Sequence, residues 1–527
     1  MAAKIDRHSY RSLLTLGIVA AASIALWGCN GGDSSSDDNG PVPLTVPKAS
    51  CGSGDKPETA LQGQVPASLR ASGFQGFSCN LQLVGQSRGE GASWQQAWFQ
   101  DKSGHKCNYY DTAATTANRA QIGVVAIDAT NPASPQPTAY LSTTSMVDPW
   151  ESLKVNERRQ LLAGVSATNG NGGPEFDVYD ISGDCRSPQL LTSVAVGTGL
   201  NAPDEFKAAV RGHEGSFSPD GLTYYGSNLA AGYIYPIDVT NTTKPKMLAQ
   251  WFTPIIQRTH GLTISDDGNR AYFTLFGQGQ AAINLAGTTT LTNGLVIADV
   301  SEVQSRKPNP QIKVISTLVW PDGGGAQHTI PVTIANKPYL IFVDEAGSGG
   351  NNSAGWTEAC KEGLPAWNFA RIIDISDETK PVTTSKLMLE MHDPANCDKV
   401  LPDLAGLSSF TYGSHYCSVD NKKNATTLAC GYFNSGIRVF DIRNPQRPKE
   451  IAYYNPAGTT TSSPGSNHFA RGQWVAGGPD WCNAQIRLDV ATASLQTTCQ
   501  DNGFLALKFT NGVWPFPESS TPAGEQN

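Results

Sequence analysis

A short phrase returns along this chain, and no other feature constrains the fold so tightly. It reads apolar-x-apolar-Asp-apolar, then a polar turn, then a proline that leads into a second apolar run. The copies are VVAIDATNP (124–132), FDVYDISGDCRSP (176–188), YIYPIDVTNTTKP (233–245), LVIADVSEVQSRKP (295–308), ARIIDISDETKP (370–381) and IRVFDIRNPQRP (437–448). A degenerate seventh, GFLALKFTNGVW, follows at 503–514. The aspartates Asp128, Asp180, Asp238, Asp299, Asp374 and Asp441 recur every roughly 50 to 75 residues, a period that signals propellers or solenoids.

Between the copies the local signals are those of hairpins. Ser218-Pro219-Asp220-Gly221 and Ser265-Asp266-Asp267-Gly268 each precede alternating apolar residues, and Gly supplies the positive φ that a tight turn requires. Beyond the first residues no long stretch has a 3.6-residue period, so helices should be few and short. A chain with this many strands must hide its sheet edges, and a closed ring of blades does so. The expected fold is therefore all-β, a seven-bladed β-propeller over 51–517. Residues 75–112 are expected to supply the early strands of the first blade, and an N-terminal strand to close the last sheet.

The N-terminus reads as an address. Lys4, Arg7 and Arg11 precede the apolar run Leu13 to Leu26, which is short for a membrane span and has the pattern of a secretory signal. Leu26-Trp27-Gly28-Cys29 resembles the lipobox of bacterial lipoproteins. That resemblance implies a signal peptide at 1–28, lipidation at Cys29 and an outer-membrane lipoprotein on the periplasmic or cell-surface face. Residues 29–50, rich in Gly, Ser, Asp and Pro, read as a disordered tether, and 518–527 as a disordered tail.

Cysteine use fits an exported protein. Setting Cys29 aside leaves ten of the eleven cysteines, enough for five disulfides in an oxidising compartment. Spacing suggests Cys417 with Cys430, Cys482 with Cys499, and Cys360 with Cys397. Cys51, Cys79, Cys107 and Cys185 cannot be paired from sequence. The net charge of −8, with no Lys/Arg-rich stripe, argues against a nucleic-acid partner.

The runs VVAIDATNP, LVIADVS, RIIDISD and IRVFDIRNPQRP resemble the LVIVD repeat of bacterial surface β-propellers, and SPDGLTYYGSN is similar to the related YVTN and TolB-type blade. The resemblance implies blade architecture and leaves the activity open, because propellers host unrelated chemistries.

Histidine recurs at one blade position. His213, His260, His328, His415 and His468 each precede an alternating strand, where an innermost strand should begin. Converging from separate blades, they could hold a divalent transition metal, copper or zinc, since imidazole suits both. The alternative is a packing role with backbone hydrogen bonds. Propellers of the selenium-binding type, which include bacterial methanethiol oxidases, look similar in placing histidines around a copper, although their motifs are not matched residue by residue.

Glu214, Asp344 and Glu345 could serve as ligands or bases, and are read more simply as turn caps. The oxygen-rich run 169–175 with Asp177 is read as a loop, not a calcium site. Trp94, Trp98, Trp150, Trp251, Trp320, Trp356, Trp367 and Trp474 are read as packing between blades, with a glycan or apolar groove as the alternative. No G-x-S-x-G elbow or phosphate loop stands in a supporting context. Two functions remain: a lipid-anchored module that binds a protein, a glycan or an apolar small molecule, and a metal-dependent periplasmic oxidoreductase or hydrolase using the central histidines.

Overall fold

The computed structural model describes residues 42–112, 120–167, 175–194, 212–252, 258–404, 410–458 and 478–520. The described residues form seven antiparallel sheets, each a blade of a β-propeller. The first strands of the blades are Gln96–Gln100, Lys154–Asn156, Gly215–Phe217, Leu262–Ile264, Gly324–Ile334, Cys417–Val419 and Arg487–Asp489. Neighbouring first strands lie side by side around a central axis.

The repeated phrase is the third strand of a blade and the turn that leaves it. Val124, Val125, Ala126 and Ile127 are all buried. A strand covered on both faces by its neighbours needs such a continuous apolar run in place of alternation. The aspartate then stops the strand. Its Oδ1 accepts the backbone N–H two residues on, from Thr130, Ser182, Thr240, Ser301, Ser376 and Arg443, at 2.8–3.0 Å in all six copies. This Asx turn is a local side-chain substitute for a backbone turn, which is why the motif survives when little else in the repeats agrees. The two Asp-Gly turns form as read: Gly221 and Gly268 have φ of +70° and +75°, and their N–H groups close on Ser218 and Ser265 at 2.8 Å.

The ring closes as the sequence suggests, with one correction. Leu81–Ser87 pairs with Gly503–Phe509 and becomes the fourth strand of blade seven. Phe77–Cys79 pairs with Lys449–Asn455, adding a fifth strand to blade six. Only Gln96–Gln100 and Lys106–Asp111 of the 75–112 segment therefore belong to blade one. The earlier residues are drawn to the last two blades because those sheets offer open edges. Residues 42–50, given to the tether on composition, also touch the propeller. Val46 is buried and its N–H donates to the Met388 carbonyl at 2.8 Å, while Lys48 pairs with Glu390 at 2.7 Å.

All ten cysteines from Cys51 onward are paired. Cys417–Cys430 and Cys482–Cys499 join cross-strand neighbours, and Cys360–Cys397 ties the helix Ser353–Lys361 to the segment after blade five. Cys51–Cys79 and Cys107–Cys185 complete the set, the second linking blade one to blade two. No helix among the described residues is long and apolar enough to cross a membrane. Cys29 and His468 lie outside the described residues.

Candidate metal centre

The residues just before successive first strands end up on one face of the ring, at the axis. Glu151 precedes the first strand of blade two, His213 and Glu214 that of blade three, His260 that of blade four and His415 that of blade six. His328 lies within the first strand of blade five, and Glu345 near the end of the second. Backbone hydrogen bonds fix these positions. Glu151 N–H donates to the His213 carbonyl at 3.1 Å, His213 N–H to Ser227 at 3.0 Å, and His415 N–H to Gly431 at 2.9 Å. The Thr274 hydroxyl accepts from the N–H groups of both His260 and Gly261, at 3.2 and 3.0 Å. Gly261 permits the closeness of the layer, since a Cβ there would stand 1.8 Å from Glu214 Oε2.

Three donor atoms meet at the centre of this layer. His213 Nε2 and His260 Nε2 are 2.8 Å apart, and Glu151 Oε2 lies 3.4 Å from the first and 3.2 Å from the second. The other oxygen of Glu151, Oε1, lies 3.1 Å from His415 Nε2. Glu345 Oε2 is 3.6 Å from His415 Nε2 and 3.8 Å from His260 Nε2. His415 donates its Nδ1–H to the Asn483 carbonyl at 2.9 Å, which leaves Nε2 as the ring nitrogen facing the two carboxylates.

Beside this group lies a second tier. His328 Nδ1 is 2.9 Å from Glu214 Oε1, Lys154 Nζ is 3.7 Å from the same oxygen, and Glu214 Oε2 is 3.6 Å from His260 Nδ1. The His328 ring packs on Tyr416, with centroids 4.9 Å apart. Glu151, Glu214, His260, His328 and His415 are all buried, while the His213 side chain keeps 19% of its exposure.

The electrostatics follow from burial working against close charges. Burial would depress His415, but the carboxylates of Glu151 and Glu345 outweigh it and raise the imidazole to about 10. The same contest lifts His260 above an ordinary histidine. For His328 burial wins, so its neutral ring donates Nδ1–H to Glu214. Burial alone would raise Glu214, yet the facing imidazole of His328, the Lys154 side chain and the hydrogen bonds from His260 and His328 hold it well below the usual carboxylate range. Lys154, which faces it, is depressed by burial.

The arrangement has the chemistry of a metal cradle. Donors bonded to one zinc at about 2.0–2.2 Å stand about 3–3.5 Å apart, close to the 2.8–3.4 Å seen among Glu151, His213 and His260. Glu151 Oε2 and His415 Nε2 are buried and, among the described residues, have no hydrogen-bond partner, because the close nitrogens and oxygens do not meet at hydrogen-bonding angles. Buried polar atoms in folded proteins are normally satisfied.

The structure thus brings together four of the five histidines singled out in the sequence. His213, His260 and His415 face the central carboxylates, and His328 is set back behind Glu214. Glu214 and Glu345, expected as turn caps, instead face imidazoles, while Asp344 accepts from Arg371, Trp320 and Asn293 at 2.8–3.0 Å. Glu151 was missed. Its signal is positional: it stands before a first strand as His415 does, in a blade with no histidine there. Trp94, Trp320, Trp356 and Trp367 are buried as packing residues. Trp474 and most of the oxygen-rich run fall outside the described residues, while Asp177 accepts from the hydroxyls of Ser193 and Thr143.

Fold and centre together define a seven-bladed propeller with a buried histidine–carboxylate cluster on its axis. No family model and no curated protein matches the sequence. Among solved structures, the chain is similar to a protein from Lactobacillus plantarum, at 12% identity over 73% of this chain and 86% of that one. It is also similar to the periplasmic gluconolactonase of Pseudomonas aeruginosa, at 11% identity over 71% and 95%. The TM-score is 0.45 in both cases, too low to carry an argument about function.

Proposed function

We propose that this protein is a metal-dependent hydrolase acting on an activated carbonyl compound such as a lactone. The supporting observation is the meeting of Glu151 Oε2, His213 Nε2 and His260 Nε2 within 3.4 Å of one another, with Glu151 and His260 buried and His213 part-exposed. Two imidazoles and one carboxylate are a donor set that zinc and its neighbours accept while keeping positions open. Bound there, a divalent ion would polarise a carbonyl and acidify a water.

The protein's own groups supply the rest. Glu345 lies close to both His260 and His415 and is placed to take a proton from the attacking water. The water oxygen bonds to the carbonyl carbon, the ester C–O bond breaks, and Glu345 passes the proton to the departing alkoxide. Glu214 sits behind His260 and restrains its ring, as carboxylates do behind metal-bound histidines. We further propose that Cys29 anchors the protein at the outer membrane by lipidation, with the propeller held on the extracytoplasmic side.

Metal analysis of protein purified from the periplasmic side, followed by a panel of lactones and esters, tests this reading. Bound zinc and lactone hydrolysis are expected, and His260→Ala should lose both while keeping its β-rich circular dichroism. Copper with substrate oxidation would replace hydrolysis by the oxidoreductase alternative. A metal-free protein that takes up no zinc, copper, iron or manganese would end the metal reading and favour the binding module. Labelling with a palmitate analogue should mark the wild type and not Cys29→Ser.

A further inference from the structure

We infer that the centre holds two divalent cations bridged by Glu151, one between Glu151 Oε2, His213 and His260 and the other between Glu151 Oε1, His415 and Glu345. This rests on the metal reading above and goes beyond it in the number of ions and in making His415 a ligand, with Glu345 binding through one oxygen and keeping the other for the proton.

The geometry of Glu151 carries the inference. Its two oxygens face different imidazoles: Oε2 faces His213 and His260, and Oε1 faces His415. One oxygen for each ion is how a carboxylate bridges a metal pair, and such pairs stand about 3.5–4 Å apart. The second position has its own donors. His415 Nε2 is 3.1 Å from Glu151 Oε1 and 3.6 Å from Glu345 Oε2, spacings that donors on one ion adopt.

His415 supplies an independent sign. Its ring is completely buried, and its Nε2 has no hydrogen bond among the described residues although two carboxylates lie within 4 Å. An imidazole built to pair with Glu151 would point its N–H along the line to Oε1. Here Nδ1 is committed to the Asn483 carbonyl, so Nε2 is left as a donor atom. Once a metal displaces the Nε2 proton, a ring held by a carbonyl at Nδ1 is the tautomer that ligates metals.

Glu214, by contrast, takes no part in the second position. Its Oε1 is occupied by His328 at 2.9 Å with Lys154 nearby, which leaves Glu151 and Glu345 as the carboxylates turned toward His260 and His415.

The test counts ions and asks whether they touch. Chelator-treated full-length protein would be loaded with zinc, dialysed and analysed by mass spectrometry, then loaded with manganese(II) and examined by electron paramagnetic resonance. Two zinc ions per chain and an exchange-coupled manganese spectrum are expected. His415→Ala should retain one ion and give the spectrum of an isolated manganese. Should that variant fail to fold, Glu345→Gln should weaken the second ion at least tenfold and leave the first unchanged. One ion per chain in the wild type, or two ions without coupling, overturns the bridge while leaving the single-metal reading intact. No ion at all overturns both.

Discussion

The centre of the ring has two walls, both built from residues in or ahead of the first strands. On blades two to six, the residues in or just before the first strands are Glu151, His213, Glu214, His260, His328 and His415. Ahead of the first strands of blades one and seven stand Trp94 and Trp481 instead, both buried, and they pack edge-on against Phe433 from blade six at 6.4 and 5.0 Å between centroids. The walls touch where the Trp94 and His415 rings stand 5.3 Å apart. The propeller thus supplies an address, and the side chain there decides whether that sector is chemistry or core. The aromatic side also keeps water from one flank of the cluster, which strengthens every electrostatic term within it.

Breaking the polar wall should have the largest effect. Glu214→Ala leaves the buried Lys154 without its counter-charge, and removing one partner of a buried pair costs about 3–5 kcal/mol. Urea unfolding of metal-free protein would read this loss. A variant as stable as wild type would mean that the pair contributes nothing.

Acidity probes the same wall without mutation. In the metal-free protein His415 titrates near 10, against about 6.5 in an unfolded chain. Its contribution to stability is therefore fully present below pH 6.5 and is lost as pH rises through about 10. Melting temperature should fall over that window, and His415→Gln should flatten the fall. At pH 7 zinc binding at His415 should release its proton, measurable by titration calorimetry in buffers of different ionisation enthalpy.

Packing beneath the wall should matter next. Gly261→Ala places a methyl against Glu214 Oε2, an overpacking that costs about 1–3 kcal/mol. Zinc affinity should fall with it if Glu214 positions His260, and stay put if Glu214 only neutralises Lys154. The smallest effect belongs to the aromatic wall. Trp94→Phe should cost about 1 kcal/mol in stability and leave metal content unchanged, which would sharpen the contrast between the two sides. Loss of metal from this variant would dissolve it.

The blades were legible because the Asp phrase is a local device: the Asx turn needs only an aspartate and the N–H two residues later. The histidines were legible for a related reason, since each stands close to the hairpin that marks its blade. Glu151 was not, because a lone glutamate in DPWESLKVN gains meaning only when blade two is laid over blade six. Glu214 and Glu345 were misread as caps because their partners, His328 and His415, come from other blades. Cys107 and Cys185 could not be paired for the same reason, since the ring and not the chain makes them neighbours. Local grammar was readable, whereas contacts across the axis required the closed circle.

That circle has an order in time. Leu81–Ser87 leaves the ribosome long before its partner Gly503–Phe509 is made. Until then the strand has no sheet to join, and blade seven has no outer edge. Vectorial synthesis therefore delivers the seam of the ring last. Removal of either strand should fail at this one joint, and the nascent chain must be shielded until the two strands have met.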